Sequence, residues 1–424
     1  MPSVFFETFG CQMNVADSDL LASALASRGY EKTEDSSVAD LIVINTCSVR
    51  QHAETRALAH IAQHAAHKRQ DRRRHQTLWV IGCMAERMGD TLLRQIKGID
   101  RVIGARNFET FLLDLDTCGL GPAYPGVPAA EGTAAVSRFV PIMRGCNNYC
   151  AYCVVPHVRG PEVSVPAPVI EDTVAELIDK GAKEVTLLGQ NVNSYHDNDI
   201  DFAGLLRRLH DIAGLCRIRF TTSHPKDCSE NLIATVAELP KLCKHIHLPV
   251  QSGSSRVCAL MNRRYTRDEY LHLIDMIKKH MPDADITTDA MVGFPSESGE
   301  DFQDTLSLFR QVRFTTAFMF IYSKRDNTAA AAMADDVSVT EKKRRLKELI
   351  DCQTSITREL YQDMVGKTLP VLFTDRQNDG DMLWMGQDNG CKRVLVSCDE
   401  SLAGMILPIR ATKSSGMTLI GERE

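Results

Sequence analysis

The chain has 424 residues, 49 Lys and Arg against 55 Asp and Glu for a net charge of −6, and 44% apolar side chains. That is ordinary globular composition, and at roughly 100 to 200 residues per domain it implies two to four domains, each able to bury its own core, which excludes a disulfide-stapled peptide. No apolar run approaches the roughly 18 residues of a membrane helix and the opening MPSVFFETFG has no charged leader before an apolar stretch, so the expectation is a soluble, cytoplasmic protein with no membrane partner.

In chain order, Val4 to Phe9, Ala39 to Asn45 and Thr77 to Gly82 predict buried strands, because they are short, rich in β-branched or aromatic residues and bounded by turn formers. Ser18 to Arg28, Ala53 to His67 and Asp90 to Lys97 predict helices. Strand and helix in alternation predict a doubly wound parallel sheet of βαβ units over residues 1–118. Gly119 to Thr133, rich in Gly, Pro and Ala, predicts a linker.

Six further strands are predicted at Arg138 to Met143, Glu184 to Gly189, Arg217 to Thr222, His245 to Val250, Asp285 to Val292 and Ala317 to Tyr322. Helices are predicted between them at Pro168 to Lys180, Asp201 to Ile212, Arg267 to His280 and Gly299 to Val312. Six βα repeats are too few for an eightfold barrel and fit a partial, open (β/α)6 barrel over residues 134–363, closed by a charged helix at Lys342 to Met364. Residues 364–424 change to short strands and Gly turns without a helical period, which predicts a small antiparallel β-barrel.

Fourteen cysteines are many for a reducing compartment, where grouped thiols bind metal or do chemistry more often than they pair. Cys146, Cys150 and Cys153 stand in RGCNNYCAYC, directly after the first strand of the second series. Chance supplies such a triplet in about one in a hundred chains of this composition. Three thiolates suit an iron–sulfur cluster with one iron left open to substrate; the rival is a zinc knuckle completed by a distant ligand such as His157. Cys11, Cys47 and Cys83 are spaced by 36 and 36 residues, one βα unit each, and each follows a predicted strand. Loops at the carboxyl edge of a parallel sheet converge, so the three thiols can share a cleft; the alternative is three small core residues. The polar surroundings FGCQMN, NTCSVR and IGCMAE favour loops. The other eight cysteines, Cys118, Cys216, Cys228, Cys243, Cys258, Cys352, Cys391 and Cys398, show no ligand spacing and are expected to pack. His60, His64 and His67 share a helix face that runs into Lys68, Arg69 and Arg72 to Arg74, which predicts a solvated basic face.

The motifs FGCQMNVADSD, INTCSVR, GCMAER, the cysteine triplet, VTLLGQNVNSY, RIRFTTSHP, HIHLPVQSGS, MNRRYTRDEY and VGFPSES resemble the methylthiotransferase branch of the radical S-adenosylmethionine (SAM) enzymes over nearly the whole chain. The resemblance implies an α/β architecture of three parts: a flavodoxin-like N-terminal domain, a partial (β/α)6 radical SAM barrel, and a C-terminal TRAM barrel that binds RNA. By the same resemblance Cys146, Cys150 and Cys153 hold a four-iron cluster whose open iron chelates SAM, and Cys11, Cys47 and Cys83 hold a second, auxiliary four-iron cluster. The implied activity is that of a sulfur-group transferase, which adds a methylthio group to carbon 2 of N6-dimethylallyl (isopentenyl) adenosine at position 37 of tRNA. One SAM supplies a 5′-deoxyadenosyl radical and a second supplies the methyl group. Tyr152, Gln190 and Gln251, on or beside strand ends, are the expected SAM contacts, with strand capping as the rival role.

The implied partners are a tRNA anticodon loop carrying the prenylated base and an electron donor of the flavodoxin or ferredoxin kind, with the enzyme a monomer. Three stretches depart from the family pattern. Arg159 to Val165 lacks the usual basic run, Ser323 to Thr328 reads SKRDNT where relatives approach SPRPGT, and Arg376, Gln377 and Asn378 replace a basic triplet. From Gly366 to Glu424 seven basic and eight acidic residues leave a net −1, little for a nucleic-acid surface. Two rivals stand beside this reading. One is a sibling acting on threonylcarbamoyladenosine or a ribosomal-protein aspartate, against which CQMN at Cys11 to Asn14 argues; the other is an iron–sulfur RNA-binding module without catalysis.

Overall fold

A computed structural model describes residues 1–48, 51–70, 76–113, 115, 135–377 and 382–424. The chain divides into two compact units. The first holds residues 1–133 with 139–149 and 153–163; the second holds 134–138, 150–152 and 164–424. The expected linker, Gly119 to Thr133, falls outside the described residues, as do Cys118, Arg72 to Arg74 and Asn378.

The first unit is built on a parallel sheet in the order β2-β1-β3-β4-β5, with β1 Ser3–Thr8, β2 Glu31–Lys32, β3 Leu41–Thr46, β4 Thr77–Gly82 and β5 Arg101–Gly104. Strand β3 reads LIVINT and is buried at all six positions, as a central parallel strand covered on both faces must be. Side chains alternate between the faces. Ile42, Ile44, Leu78 and Val80 pack on Ala57, Ile61 and Ala65 of α2 (Gln51–Gln70). Leu41, Val43, Trp79 and Ile81 pack with Leu21, Ala24 and Leu25 of α1 (Gln12–Ala26) and with Phe108 and Phe111 of a short C-terminal helix (Phe108–Leu113). Each large side chain so buried stabilises by about 1.5 to 3 kcal/mol.

Helix Asp90–Gln95 starts where the pattern predicts, whereas one helix begins much earlier and one further helix is not predicted at all. Helix α1 starts at Gln12, not Ser18, because its first two turns bury polar side chains, Asn14, Asp17 and Ser18, and so carry no apolar period. Cys83 is itself the first residue of a helix, α3 (Cys83–Met88), which Gly82 at φ +98° turns directly out of β4. The expected histidine face is also different. His60 Nδ1 lies 2.7 Å from Glu7 and His64 Nε2 3.2 Å from it, so part of that face meets β1 and not water.

Two three-stranded arcs follow. One runs Arg217–Phe220, Glu184–Leu188, Ser137–Pro141, its first two strands parallel and in the second unit; the other, parallel throughout and in the second unit, runs His245–His247, Asp285–Val292, Thr316–Ile321. A parallel bridge between Ile218 and Leu242 leads from the first arc toward the second. Six strands in sequence order make the expected partial barrel, with helices such as Ala167–Asp179, Arg267–His280 and Gly299–Val312 outside it. The helix Val339–Gln362 leads into a closed barrel of five strands, Thr368–Arg376, Leu383–Gln387, Arg393–Ser397, Thr418–Arg423 and Ile406–Ser415. Val371, Phe373, Trp384, Val394, Ile409 and Leu419 fill it.

Candidate functional site

In the first unit, β1, β3 and β4 are neighbours in the sheet, and each is followed by one cysteine of the spaced triplet. Thr8 is in register with Asn45 and Thr46 with Gly82, so the loops bearing Cys11, Cys47 and Cys83 leave one edge side by side. Their approach is close. A Cβ at Gly10 (φ +120°) would stand 2.5 Å from Cys47 Cβ and 3.0 Å from its sulfur, so only glycine fits there. Asn14 Nδ2 donates to Phe9 O (3.1 Å), Asn45 Oδ1 (3.0 Å) and Thr46 O (2.9 Å), and Asn45 Nδ2 donates back to Asn14 O (2.8 Å). Thr46 Oγ1 donates to Ile81 O (2.6 Å) and accepts from the Ala85 amide, which ties in the third loop.

Cys47 and Cys83 are 1% and 2% exposed, and Cys11 is half-buried with its thiol donating to Asn14 Oδ1 at 3.3 Å. The expectation of loops outside the core is therefore corrected, since two of the three sulfurs are buried and Cys83 opens a helix. Burial pushes the Cys83 thiol up to about 11; Arg159 opposes the rise, while Cys47, Cys11 and Asp17 add to it. Thiols kept protonated by burial become ligands when a metal replaces the proton. Among the described residues no group of three His, Cys, Asp or Glu closes around a single ion. A zinc tetrahedron needs Zn–S of about 2.3 Å and so nearly touching sulfurs. Three loops that each bring one thiol to the same sheet edge could hold an iron–sulfur cluster through one ligand apiece.

Cys146 and Cys153 of the second triplet belong to the first unit and Cys150 to the second. Cys146 is buried, its amide bonded to Gly160 O at 3.1 Å; the preceding Gly145 (φ +77°) has no room for a Cβ, which would fall 1.8 Å from Pro161 O. In the second unit the Cys150 to Tyr152 segment is pinned through Ala151, whose N–H donates to Met261 O (2.9 Å) and whose carbonyl accepts from Ala330 N–H (2.7 Å). Arg263, which sequence reasoning missed, reaches this segment. Its Nη1 lies 3.3 Å from Cys150 Sγ and 3.5 Å from Tyr152 OH, while Nη2 donates to Pro249 O (2.9 Å) and Nε to Tyr265 OH (3.1 Å). MNRRYTRDEY contained the signal, but nothing in a linear pattern singles out which arginine turns inward. His157, the rival zinc ligand, is exposed on the helix Val155–Arg159, its carbonyl taken by Arg106.

The carboxyl ends of the Glu184–Leu188 and Arg217–Phe220 strands in the second unit carry a group of buried polar atoms. Gln190 Oε1, Asn191 Oδ1, Thr221 Oγ1, Ser223 Oγ and His224 Nε2 have no hydrogen-bond partner among the described residues. His224 Nδ1 accepts from Lys226 N–H at 3.2 Å, and burial, with Arg263, Lys226 and Arg264 adding, pushes its imidazole down to about 2, so it is neutral at physiological pH. Buried polar atoms are normally paired, and each one left open costs about 1 to 3 kcal/mol. Five such atoms follow these two neighbouring strands. Gln190 is one of them; Gln251, at φ +64°, uses its backbone to bond Asp289 O and Met291 N–H, both at 2.8 Å. Of the three expected SAM contacts, Gln190 offers an open side-chain acceptor, Tyr152 meets Arg263, and Gln251 sits at a strained strand end. Of the cysteines expected to pack, Cys228, Cys243 and Cys258 are buried, whereas Cys216 is exposed.

Comparison with known proteins bears on both units. The family described as Radical SAM superfamily matches residues 140–309, and the one described as Uncharacterized protein family UPF0004 matches residues 3–104. A tRNA-2-methylthio-N(6)-dimethylallyladenosine synthase of Geotalea uraniireducens (strain Rf4) is 45% identical over 434 residues, covering 99% of this chain and 98% of that protein. The protein of the same name from Syntrophotalea carbinolica (strain DSM 2380 / NBRC 103641 / GraBd1) is 39% identical over 439 residues, with full coverage of both. Among solved structures, the radical S-adenosylmethionine methyltransferase TsrM from Kitasatospora setae, with cobalamin and an iron–sulfur cluster bound, matches at a TM-score of 0.55 and 14% identity, over 76% of this chain and 75% of that one. At that identity the likeness speaks for the fold alone.

Proposed function

The chain belongs to the tRNA-2-methylthio-N(6)-dimethylallyladenosine synthases, a family of radical SAM enzymes, and on that premise we propose how its residues divide the work. It is a sulfur-group transferase that places a methylthio group on carbon 2 of N6-dimethylallyladenosine in tRNA and works with SAM and four-iron clusters. Carbon 2 of adenine carries a C–H bond that no side-chain acid or base opens, so the bound cofactors supply the radical, sulfur and methyl chemistry. The protein supplies placement and exclusion of water.

Cys146, Cys150 and Cys153 hold the cluster that binds SAM, and Arg263 orients Cys150 by a hydrogen bond to its sulfur. Gln190, with Tyr152 and Gln251, takes part in holding SAM. Cys11, Cys47 and Cys83 hold the auxiliary cluster. The observation that carries this is the edge of β1, β3 and β4, where three cysteine loops are laced together by Asn14, Asn45 and Thr46. Residues 1–118, 134–363 and 364–424 act as methylthiotransferase, radical SAM and TRAM-like parts. The target base leaves the stacked anticodon loop, at position 37, to reach the site. The enzyme is monomeric and cytoplasmic, reduced by a flavodoxin or ferredoxin. No helix among the described residues is long and apolar enough to cross a membrane.

Nucleoside mass spectrometry of tRNA tests the substrate. In a host lacking its own enzyme, this gene should convert dimethylallyladenosine to its 2-methylthio form; persistence of the unthiolated base would sink the assignment. Anaerobically reconstituted protein with dithionite and SAM should release 5′-deoxyadenosine, and C150A should not.

A further inference from the structure

Arg159 is 3% exposed at its side chain, closer to fully buried than an arginine is without strong compensation. Its Nη2 donates to Asp17 Oδ2 (3.0 Å) and Asn14 Oδ1 (3.2 Å), but its Nη1, equally buried, has no hydrogen-bond partner among the described residues. Asp17 does not belong to Arg159 alone, because its other oxygen accepts from Arg144 Nη1 at 2.7 Å. Two cysteines of the spaced triplet border the residues that Arg159 touches or adjoins. Asn14 Oδ1 also receives the Cys11 thiol, and Val158, next to Arg159, packs with Val154 and Cys83 in one small cluster. Without a ligand this is an expensive arrangement, since a buried cationic donor left open costs more than a neutral one.

We propose that Arg159 is a positioning residue of the auxiliary cluster, its Nη1 donating a charge-assisted hydrogen bond to a sulfur of the cluster held by Cys11, Cys47 and Cys83. The inference rests on the two-cluster reading above. A four-iron cluster in its +2 state with three thiolate ligands carries one net negative charge, and reduction adds a second. A guanidinium donor at its sulfur stabilises the reduced state more than the oxidised one and raises the reduction potential. Arg144 meets the other Asp17 oxygen and stands 5.2 Å over the Phe108 ring. The residue Arg159 opens the RGPEVSV stretch, in which Glu162 keeps a charge while Pro161, Val163 and Val165 carry none.

The test uses the full chain with C146A, C150A and C153A together, so that only the auxiliary cluster remains, and reads its midpoint by potentiometric titration followed by electron paramagnetic resonance. R159Q should make reduction at least tenfold less favourable, about 59 mV downward for one electron. R159K, which keeps the charge without the planar fork, should fall between parent and R159Q. D17N, which frees Arg159 from its carboxylate, should move the midpoint upward. A midpoint in R159Q equal to the parent's overturns the proposal. If R159Q retains no cluster, unchanged midpoints in both R159K and D17N overturn it instead. If the parent triple variant binds no iron, the two-cluster reading itself falls, which the iron count reports separately.

Discussion

The two ends of the partial barrel in the second unit are built from the same strands and treat buried polarity in opposite ways. At the starts of the strands, charge is paired. Arg219 Nε meets Glu184 Oε2 at 2.7 Å, Lys392 Nζ lies 2.5 and 2.6 Å from the two Asp285 oxygens, and Asp285 also accepts from Thr315 Oγ1 and the Cys391 amide, both at 2.9 Å. Arg217 Nη2 donates to Pro370 O (2.6 Å) and Nη1 to Gln387 O (2.7 Å). Most of these partners come from the C-terminal β-barrel, so this end is where that barrel is anchored. At the strand ends the polar atoms of Gln190, Asn191, Thr221, Ser223 and His224 stay open. Polarity satisfied by the chain itself serves stability, and polarity left for a ligand serves the reaction, which is the division expected between the bottom and top of a (β/α) barrel.

The largest effect that would break this contrast belongs to Asp285. D285A leaves Lys392 buried beside Asp388 with its main partner gone, and removing one member of a buried pair costs about 3 to 5 kcal/mol. Chemical denaturation should show that loss, while SAM affinity, measured by calorimetry well below the melting point, should stay within twofold. Equal stability of D285A and parent would show that the anchor carries no load. The same pair sets a pH dependence. Burial pushes the Asp285 carboxyl up, but the charge and hydrogen bonds of Lys392, with those of Cys391 and Thr315, outweigh it and hold the group below its ordinary value. A folded pKa below the unfolded one means the stabilisation is present above about pH 4 and is lost as pH falls below it. Burial pulls Lys392 down and Asp285 and Asp388 pull it further up, so its share is lost only on the alkaline side, above about pH 10. Asp388 runs the other way, its carboxyl raised chiefly by burial. The acid limb of the stability profile should therefore be shallower in D285N than in the parent.

A smaller effect is expected where the second triplet is braced. R263M removes the donor to Cys150 Sγ, while Tyr265 OH still donates to Pro249 O and Val250 O. Metal affinity should drop by about 10 to 100 fold, the usual consequence of removing an outer hydrogen bond to a ligand. Iron retained after chelator challenge measures it, and retention equal to the parent's would assign Arg263 to packing alone.

How legible each region was in the sequence follows from the same contrast. Apolar alternation found β3 and β4 and all six strands of the partial barrel, because those residues face other residues of the chain and obey its period. It missed the first turns of α1, where Asn14, Asp17 and Ser18 are buried against polar groups and not against a core, and it missed α3, whose first residue is Cys83. Spacing singled out Cys11, Cys47 and Cys83, since one βα unit separates each pair, and the sheet order brings their loops to one edge. It found none of the arginines that attend them. Arg159 and Arg263 make their contacts through atoms far along a flexible side chain, and whether such a chain turns inward depends on what lies across the fold from it. The charged strand starts were equally silent, because Arg217 and Arg219 alternate with Ile218 and Phe220 as a half-exposed strand would. All four are buried, and the reason is a barrel more than 150 residues further along the chain.

The smallest change sharpens the contrast most, because it predicts opposite signs for stability and binding. T221V is nearly isosteric and deletes a buried hydroxyl that no described residue satisfies. An unsatisfied hydroxyl costs the ligand-free chain its desolvation, so the valine should leave unfolding unchanged or stabilise it by about 1 kcal/mol. If the open atoms at this edge await SAM, the same substitution should weaken SAM binding severalfold, and the rise in melting temperature on adding SAM should shrink accordingly. A T221V chain that is less stable without ligand would mean the hydroxyl already has a partner such as ordered water. In that case the strand ends would differ from the strand starts only in who satisfies them, and the edge would lose its standing as a ligand site. Increased ligand-free stability with diminished SAM protection has no comparable structural explanation, since a packing defect lowers both together.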